Sequence, residues 1–93
     1  RLTCVEPEPR NLERLRHTLE LNGLDSAVVL AVAADEREGR VALAGDDVFT
    51  RVNDDPDAAT VPAVRLDRAL GTQARVDLAK IDVEGAEGRV LRG

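Results

Sequence analysis

Aromatic side chains are almost missing from these 93 residues: there is one Phe and neither Trp nor Tyr. Single-stranded nucleic acid usually binds by stacking its bases on such rings, so that mode has no platform here. Basic charge is also in deficit, with 13 Lys and Arg against 18 Asp and Glu and a formal net charge of −5. Phosphate backbones need a positive surface, so the imbalance argues against a nucleic-acid partner. One cysteine cannot build a disulfide framework or a multi-cysteine zinc site, and it fits a reducing compartment. No apolar run reaches the 18 or so residues of a spanning helix, and no basic-then-apolar leader is recognised. Composition therefore predicts a soluble, acidic, cytoplasmic protein with no membrane partner, and the length has room for one small domain.

The ends add to this. Leu2-Thr3-Cys4-Val5 puts an apolar run at the start, and Gly93 stands where a helical pattern closes. Domains tend to begin and end in exposed polar segments, so the expectation is an internal piece of a larger protein.

Thr3-Cys4-Val5-Glu6 reads as the end of a buried strand, stopped by Pro7 and Pro9. From Pro9 to Leu21, Leu12, Leu15 and Leu19 recur at helical spacing, Pro9 suits the first turn, and Asn22-Gly23 ends the helix. Residues 27–33 form a continuous apolar run, predicted to be a strand covered on both faces. Residues 40–44 and 48–52 flank Gly45-Asp46-Asp47 and predict a hairpin. Residues 61–65 read as a short strand, with Asp67 as N-cap of a helix through Leu70 that Gly71 stops. Residues 76–82 read as another strand, Gly85 breaks it, and residues 86–92 open a helix. Strands alternating with helices predict an α/β fold on a mostly parallel sheet.

Ligands of open parallel sheets gather beyond the carboxyl ends of the strands. Three places qualify. Glu6 ends the first strand, where a carboxylate can accept both hydroxyls of a ribose, or simply be a solvated loop residue. Asp35 follows Ala33-Ala34, whose small side chains let an adenine lie against the backbone while Asp35 accepts from its amino group. The stretch 35–39 is equally an ordinary charged turn. Lys80, Asp82 and Glu84 alternate with Ile81 and Val83, so three ionisable groups share one face of a strand. Such groups are costly unless they pair or meet a ligand, and could serve as proton acceptor, metal ligand or substrate clamp. The plainer reading pairs Lys80 with Asp82 and lets Glu84 or Glu87 support the next helix. His17, four residues after Glu13, reads as a surface ion-pair member, and Cys4 as a small apolar strand residue. Asp46, Asp47, Asp54, Asp55 and Asp57 lack the spacing of a calcium loop and read as a solvated acidic loop.

Val5-Glu6-Pro7-Glu8-Pro9, Leu15, Leu21-Asn22-Gly23-Leu24, Leu66-Asp67, Lys80-Ile81-Asp82-Val83-Glu84-Gly85-Ala86-Glu87 and Val90-Leu91-Arg92-Gly93 together resemble the FkbM family of S-adenosylmethionine-dependent methyltransferases. The segment 80–87 is the specific part, and the order runs across essentially the whole chain. The resemblance implies a Rossmann-like methyltransferase fold, a mostly parallel sheet with helices on both faces. It also implies methyl transfer, often to oxygen, on sugars, polyketides or other small molecules. Glu6 then corresponds to the carboxylate that holds the cofactor ribose, and Ala34 and Asp35 lie by the adenine. Asp82 and Glu84 face the transfer site with Lys80 close by, and no metal is assigned. The family's glycine-rich turn would precede Arg1, and its later strands would follow Gly93. The resemblance therefore covers the middle of a domain, and these 93 residues alone are not expected to turn over.

In such an enzyme a substrate hydroxyl attacks the sulfonium methyl in line, so positioning dominates and a nearby base helps. Two other classes stay open. A nicotinamide-dependent oxidoreductase also places a carboxylate where Glu6 stands, and a non-catalytic remnant or binding module could pair its sheet edge with a partner chain. A metal-dependent variant would use Asp82 and Glu84 as oxygen ligands.

Overall fold

The computed structural model describes residues 1–43, 49–51, 59–71, 75–83 and 85–93. Helix α1 (Pro9–Leu21) follows strand β1 (Thr3–Val5) and forms where its leucine spacing requires. Glu8 is the N-cap, its carboxylate accepting from the Asn11 amide at 2.7 Å, and Pro9 opens the first turn. The other end closes at Gly23, φ 65°, with the Gly23 amide donating to Glu20 and the Leu24 amide to Leu19. Only a residue tolerant of the left-handed region can close the turn this way. Leu12 and Leu19 are the buried residues of the helix.

The expected strand over residues 27–33 divides into β2 (Val28–Leu30) and β3 (Ala33–Ala34). β2 runs parallel to β1, with Thr3 opposite Val28 and Val5 opposite Leu30, whereas β3 runs parallel to β6 (Thr60–Val64). One apolar run thus crosses from one sheet to another, and the ladder is interrupted at Ala31 and Val32 because the partners differ on either side. β2 is half-buried, not covered on both faces.

The predicted hairpin is present: β4 (Gly39–Leu43) is antiparallel to β5 (Phe49–Arg51), Leu43 facing Phe49. It is no appendage. β4 also pairs antiparallel with β6, giving a four-stranded sheet of order β3-β6-β4-β5 beside the two-stranded β1-β2 sheet. The architecture is therefore mixed α/β, and the mostly parallel sheet is not what the described strands form: two pairings are parallel and two antiparallel. Pro62 is tolerated because β3 is short and pairs only with Ala63 and Val64, leaving proline beyond the end of that ladder.

The core sits in this second sheet. Val41 is fully buried, packed with Ala33, Val61 and Ala63 and covered by half-buried Leu43. Val41→Ala removes two methyl groups from a site that cannot collapse readily, and is expected to cost about 2 kcal/mol. A urea titration checks this; an unchanged midpoint would mean that the sheet interior is not the core.

Three further expectations are corrected. Residues 76–82 form no strand: Leu78 is 90% exposed and Val76 57%, and no described strand lies in register to satisfy their backbone. α2 (Leu66–Leu70) is capped by Arg65, whose backbone is extended, so Asp67 lies inside the first turn instead of capping it. There Asp67 is ion-paired to Arg65 at 2.6 Å, which holds its carboxyl below the usual range, and Gly71, φ 81°, ends the helix. α3 spans only Glu87–Val90, shorter than the 86–92 expected, because the chain turns at Leu91 and Arg92.

Candidate functional site

Glu6 follows β1 directly, its amide donating to the carbonyl of Leu30 at the end of β2. Its Oε1 accepts from the Glu8 amide at 2.8 Å, which folds the carboxylate over the Pro7 turn. The side chain is half-buried, and among the described residues no donor meets Oε2. A carboxylate fixed by one oxygen at the carboxyl end of parallel strands is suited to accept from a hydroxylated ligand with the other.

Ala34 and Asp35 occupy the corresponding end of the β3–β6 pair, and the Asp35 amide donates to Val64 at 2.9 Å. Asp35 is the buried charged residue among the described residues, 2% exposed. Its Oδ1 accepts from the Glu36 amide at 2.6 Å and from Arg89 Nε at 3.1 Å, and its Oδ2 from Arg89 Nη2. Burying a carboxylate is expensive unless a cation and hydrogen bonds satisfy it, and Arg89 supplies both in a forked arrangement. Beside this pair, Arg92 Nε meets Glu36 Oε2 at 2.7 Å and holds the Glu36 carboxyl below the usual carboxylate range.

Lys80 and Asp82 pair as the plainer reading expected, Nζ to Oδ2 at 2.7 Å, on an exposed segment. Glu87 likewise accepts from the Gly85 amide at 3.0 Å, and Gly85 takes φ 91°. Glu84 and the acidic residues 46, 47, 54, 55 and 57 lie outside the described residues. The hydrogen bond and charge of Lys80 lower the Asp82 pKa, so its carboxylate stays ionised further into acid than an ordinary aspartate. A carbon-detected NMR titration should place its midpoint below the aspartate norm, and Lys80→Met should move it up. Stability linked to this ionisation is present above the unfolded-state pKa and is lost as pH falls through the lowered one. No upward movement in the variant would mean that the pair does not persist in solution.

The structure does not bring Lys80 or Asp82 into hydrogen-bonding contact with Glu6 or Asp35 among the described residues. His17 is exposed and forms no ion pair with Glu13 there, so its expected pairing is absent. No group of three His, Cys, Asp or Glu side chains converges among the described residues. Two shallow grooves run along α1, one lined by Leu19, Leu24, Ala27 and Val29 and the other by Glu13, His17 and Glu20. Neither contains Glu6, Asp35 or Asp82, and both are wide open, so the strand-end carboxylates remain the better site. Arg89, Arg92 and Gly93 were not among the expected site residues. The available signal was two arginines one helical turn apart and an Asp-Glu pair, but they are 54 and 56 residues apart in the chain.

The sequence profile of the methyltransferase FkbM domain matches residues 1–93, the whole chain. The chain belongs to the FkbM methyltransferase family. No curated protein and no solved structure matches it significantly. The FkbM assignment agrees with carboxylates closing both parallel pairs, and gives methyl transfer as the general chemistry of the family. No helix among the described residues of this FkbM chain is long and apolar enough to cross a membrane.

Proposed function

We propose that this FkbM chain serves S-adenosylmethionine-dependent methyl transfer to a hydroxyl of a small molecule or sugar, as one part of a larger cytoplasmic Rossmann-like domain. The observation that carries this is the family match over 1–93 combined with Glu6, half-buried at the end of β1 with an oxygen to offer. Glu6 fits the ribose diol: its carboxylate is already oriented by the Glu8 amide and needs little further ordering.

Asp35 fits less simply. Its carboxylate is committed to Arg89 and the Glu36 amide, so we place Ala34 and Asp35 beside the adenine by their position at the end of β3. S-adenosylmethionine supplies an electrophilic methyl on a sulfonium. Asp82 and Glu84 orient the acceptor hydroxyl or take its proton, with Lys80 beside Asp82 keeping it ionised further into acid. That pairing makes Asp82 a weaker Brønsted base while leaving Oδ1 to accept, so orientation is its main contribution.

The test incubates the full-length protein with methyl-labelled S-adenosylmethionine and a panel of hydroxylated sugars and polyketide-like small molecules. The proposal predicts label on an acceptor oxygen. Label on nitrogen or carbon would move the acceptor class, and no transfer across the panel together with no cofactor binding would end the methyltransferase reading.

A further inference from the structure

The last residues of the chain are bound to the residues that follow β3 and to the first turn of α2. Arg89 grips the Asp35 carboxylate with Nε and Nη2, and Arg92 bonds Glu36 at 2.7 Å. The Asp67 amide donates to the carbonyl of Gly93 at 3.2 Å. A side chain at Gly93 would collide with the Asp35 carbonyl, so the backbone itself lies against the turn. Val90 of α3 is itself buried, 5% exposed. The Asp35–Arg89 pair differs from the other ion pairs described. Its side chains are 3% and 26% exposed, whereas Lys80–Asp82 is 81% and 72% exposed and Arg65–Asp67 43% and 56%. Water screens the latter two and leaves the first nearly unscreened.

We infer that Arg89 is a positioning residue: through Asp35 it locks α3, and the turn at Gly85 and Ala86 that leads into it, to the end of β3 that the proposed function gives to the cofactor. The inference rests on the methyltransferase reading for what the lock serves, and on the ion-pair geometry for the lock itself. Asp35 and Arg89 are joined by two parallel hydrogen bonds, and this fork fixes direction as well as distance. Arg89 bonds a residue from which Ala34 is one peptide away and lies four residues after Gly85, so displacement of either end is felt at the other.

The test compares wild-type full-length protein with Arg89→Gln, Arg89→Lys, Gly93→Ala and Glu6→Ala. It reads amide exchange at Leu91 and Gly93, whose amides donate to Glu87 and Val90, and S-adenosylmethionine affinity by calorimetry. Arg89→Gln should speed exchange at those amides about tenfold or more beyond any change at β4 and β6, and should weaken the cofactor by roughly tenfold. Arg89→Lys should recover part of both effects, because it keeps the charge and loses the fork. Gly93→Ala should reproduce them by steric displacement with every charge intact. Glu6→Ala should weaken the cofactor and leave exchange at α3 unchanged. Unaltered exchange in both Arg89→Gln and Gly93→Ala overturns the lock. Faster exchange with unaltered affinity overturns the positioning role. If wild-type protein binds no S-adenosylmethionine, the methyltransferase reading and the positioning role fall together, while the exchange rates still decide whether the lock exists.

Discussion

Arg89→Gln is expected to remove about 3 kcal/mol of folding stability, at the lower end of the cost of breaking a buried ion pair from one side. The variant takes the forked Arg89 guanidinium away from a carboxylate that is 2% exposed. Asp35→Asn should cost less, about 1–2 kcal/mol, because Arg89 keeps a quarter of its side chain in water and can turn outward. The double variant should be more stable than the sum of the two losses predicts, since the two side chains bond each other directly. Arg92→Gln, which breaks an exposed pair, should be nearly silent. Guanidinium titrations check the series. Equal losses for Arg89→Gln and Arg92→Gln would mean that burial of the first pair is not maintained in solution.

Asp82→Asn should lower methyl transfer by about 100-fold or more, with cofactor affinity within about twofold of wild type. Asp82 is ionised at neutral pH, and an ionised carboxylate accepts a strong hydrogen bond from an attacking hydroxyl. Asparagine retains the shape and loses the charge, so the ground-state complex forms while the hydroxyl is poorly oriented. Lys80→Met should act through Asp82, shifting the acid limb of the rate profile upward as the lowered pKa relaxes. Initial rates with labelled cofactor, beside calorimetry on the same variants, separate the effects. Weaker cofactor with unchanged transfer would reassign Asp82 to the cofactor side.

Local signals were the legible ones. The α1 boundaries follow from Pro9 at one end and Asn22-Gly23 at the other, since capping chemistry is written within a few residues. The β4–β5 hairpin and β6 were readable for the same reason. Partner choice was not. The run 27–33 has the composition of a single strand, and only the tertiary arrangement sends Leu30 to one sheet and Ala33 to another. Residues 76–82 carry a strand pattern yet form no ladder, because a pattern specifies which side chains want burial and not whether a neighbour is there to bury them. At the site, the Lys80–Asp82 pair was legible because its members are two residues apart. The Asp35–Arg89 lock was not, because burial of Asp35 depends on a helix more than fifty residues away.

The proposed function depends on Glu6 holding the cofactor ribose. Calorimetric titration of S-adenosylmethionine into the full-length protein, wild type beside Glu6→Ala, tests it most directly. Two charge-assisted hydrogen bonds to a diol predict a loss of about 2–4 kcal/mol in the variant, or roughly 30-fold to nearly 1,000-fold in affinity, with the fold intact. Wild-type and variant proteins that bind the cofactor equally, or a wild type that gives no binding heat at any temperature, would contradict it.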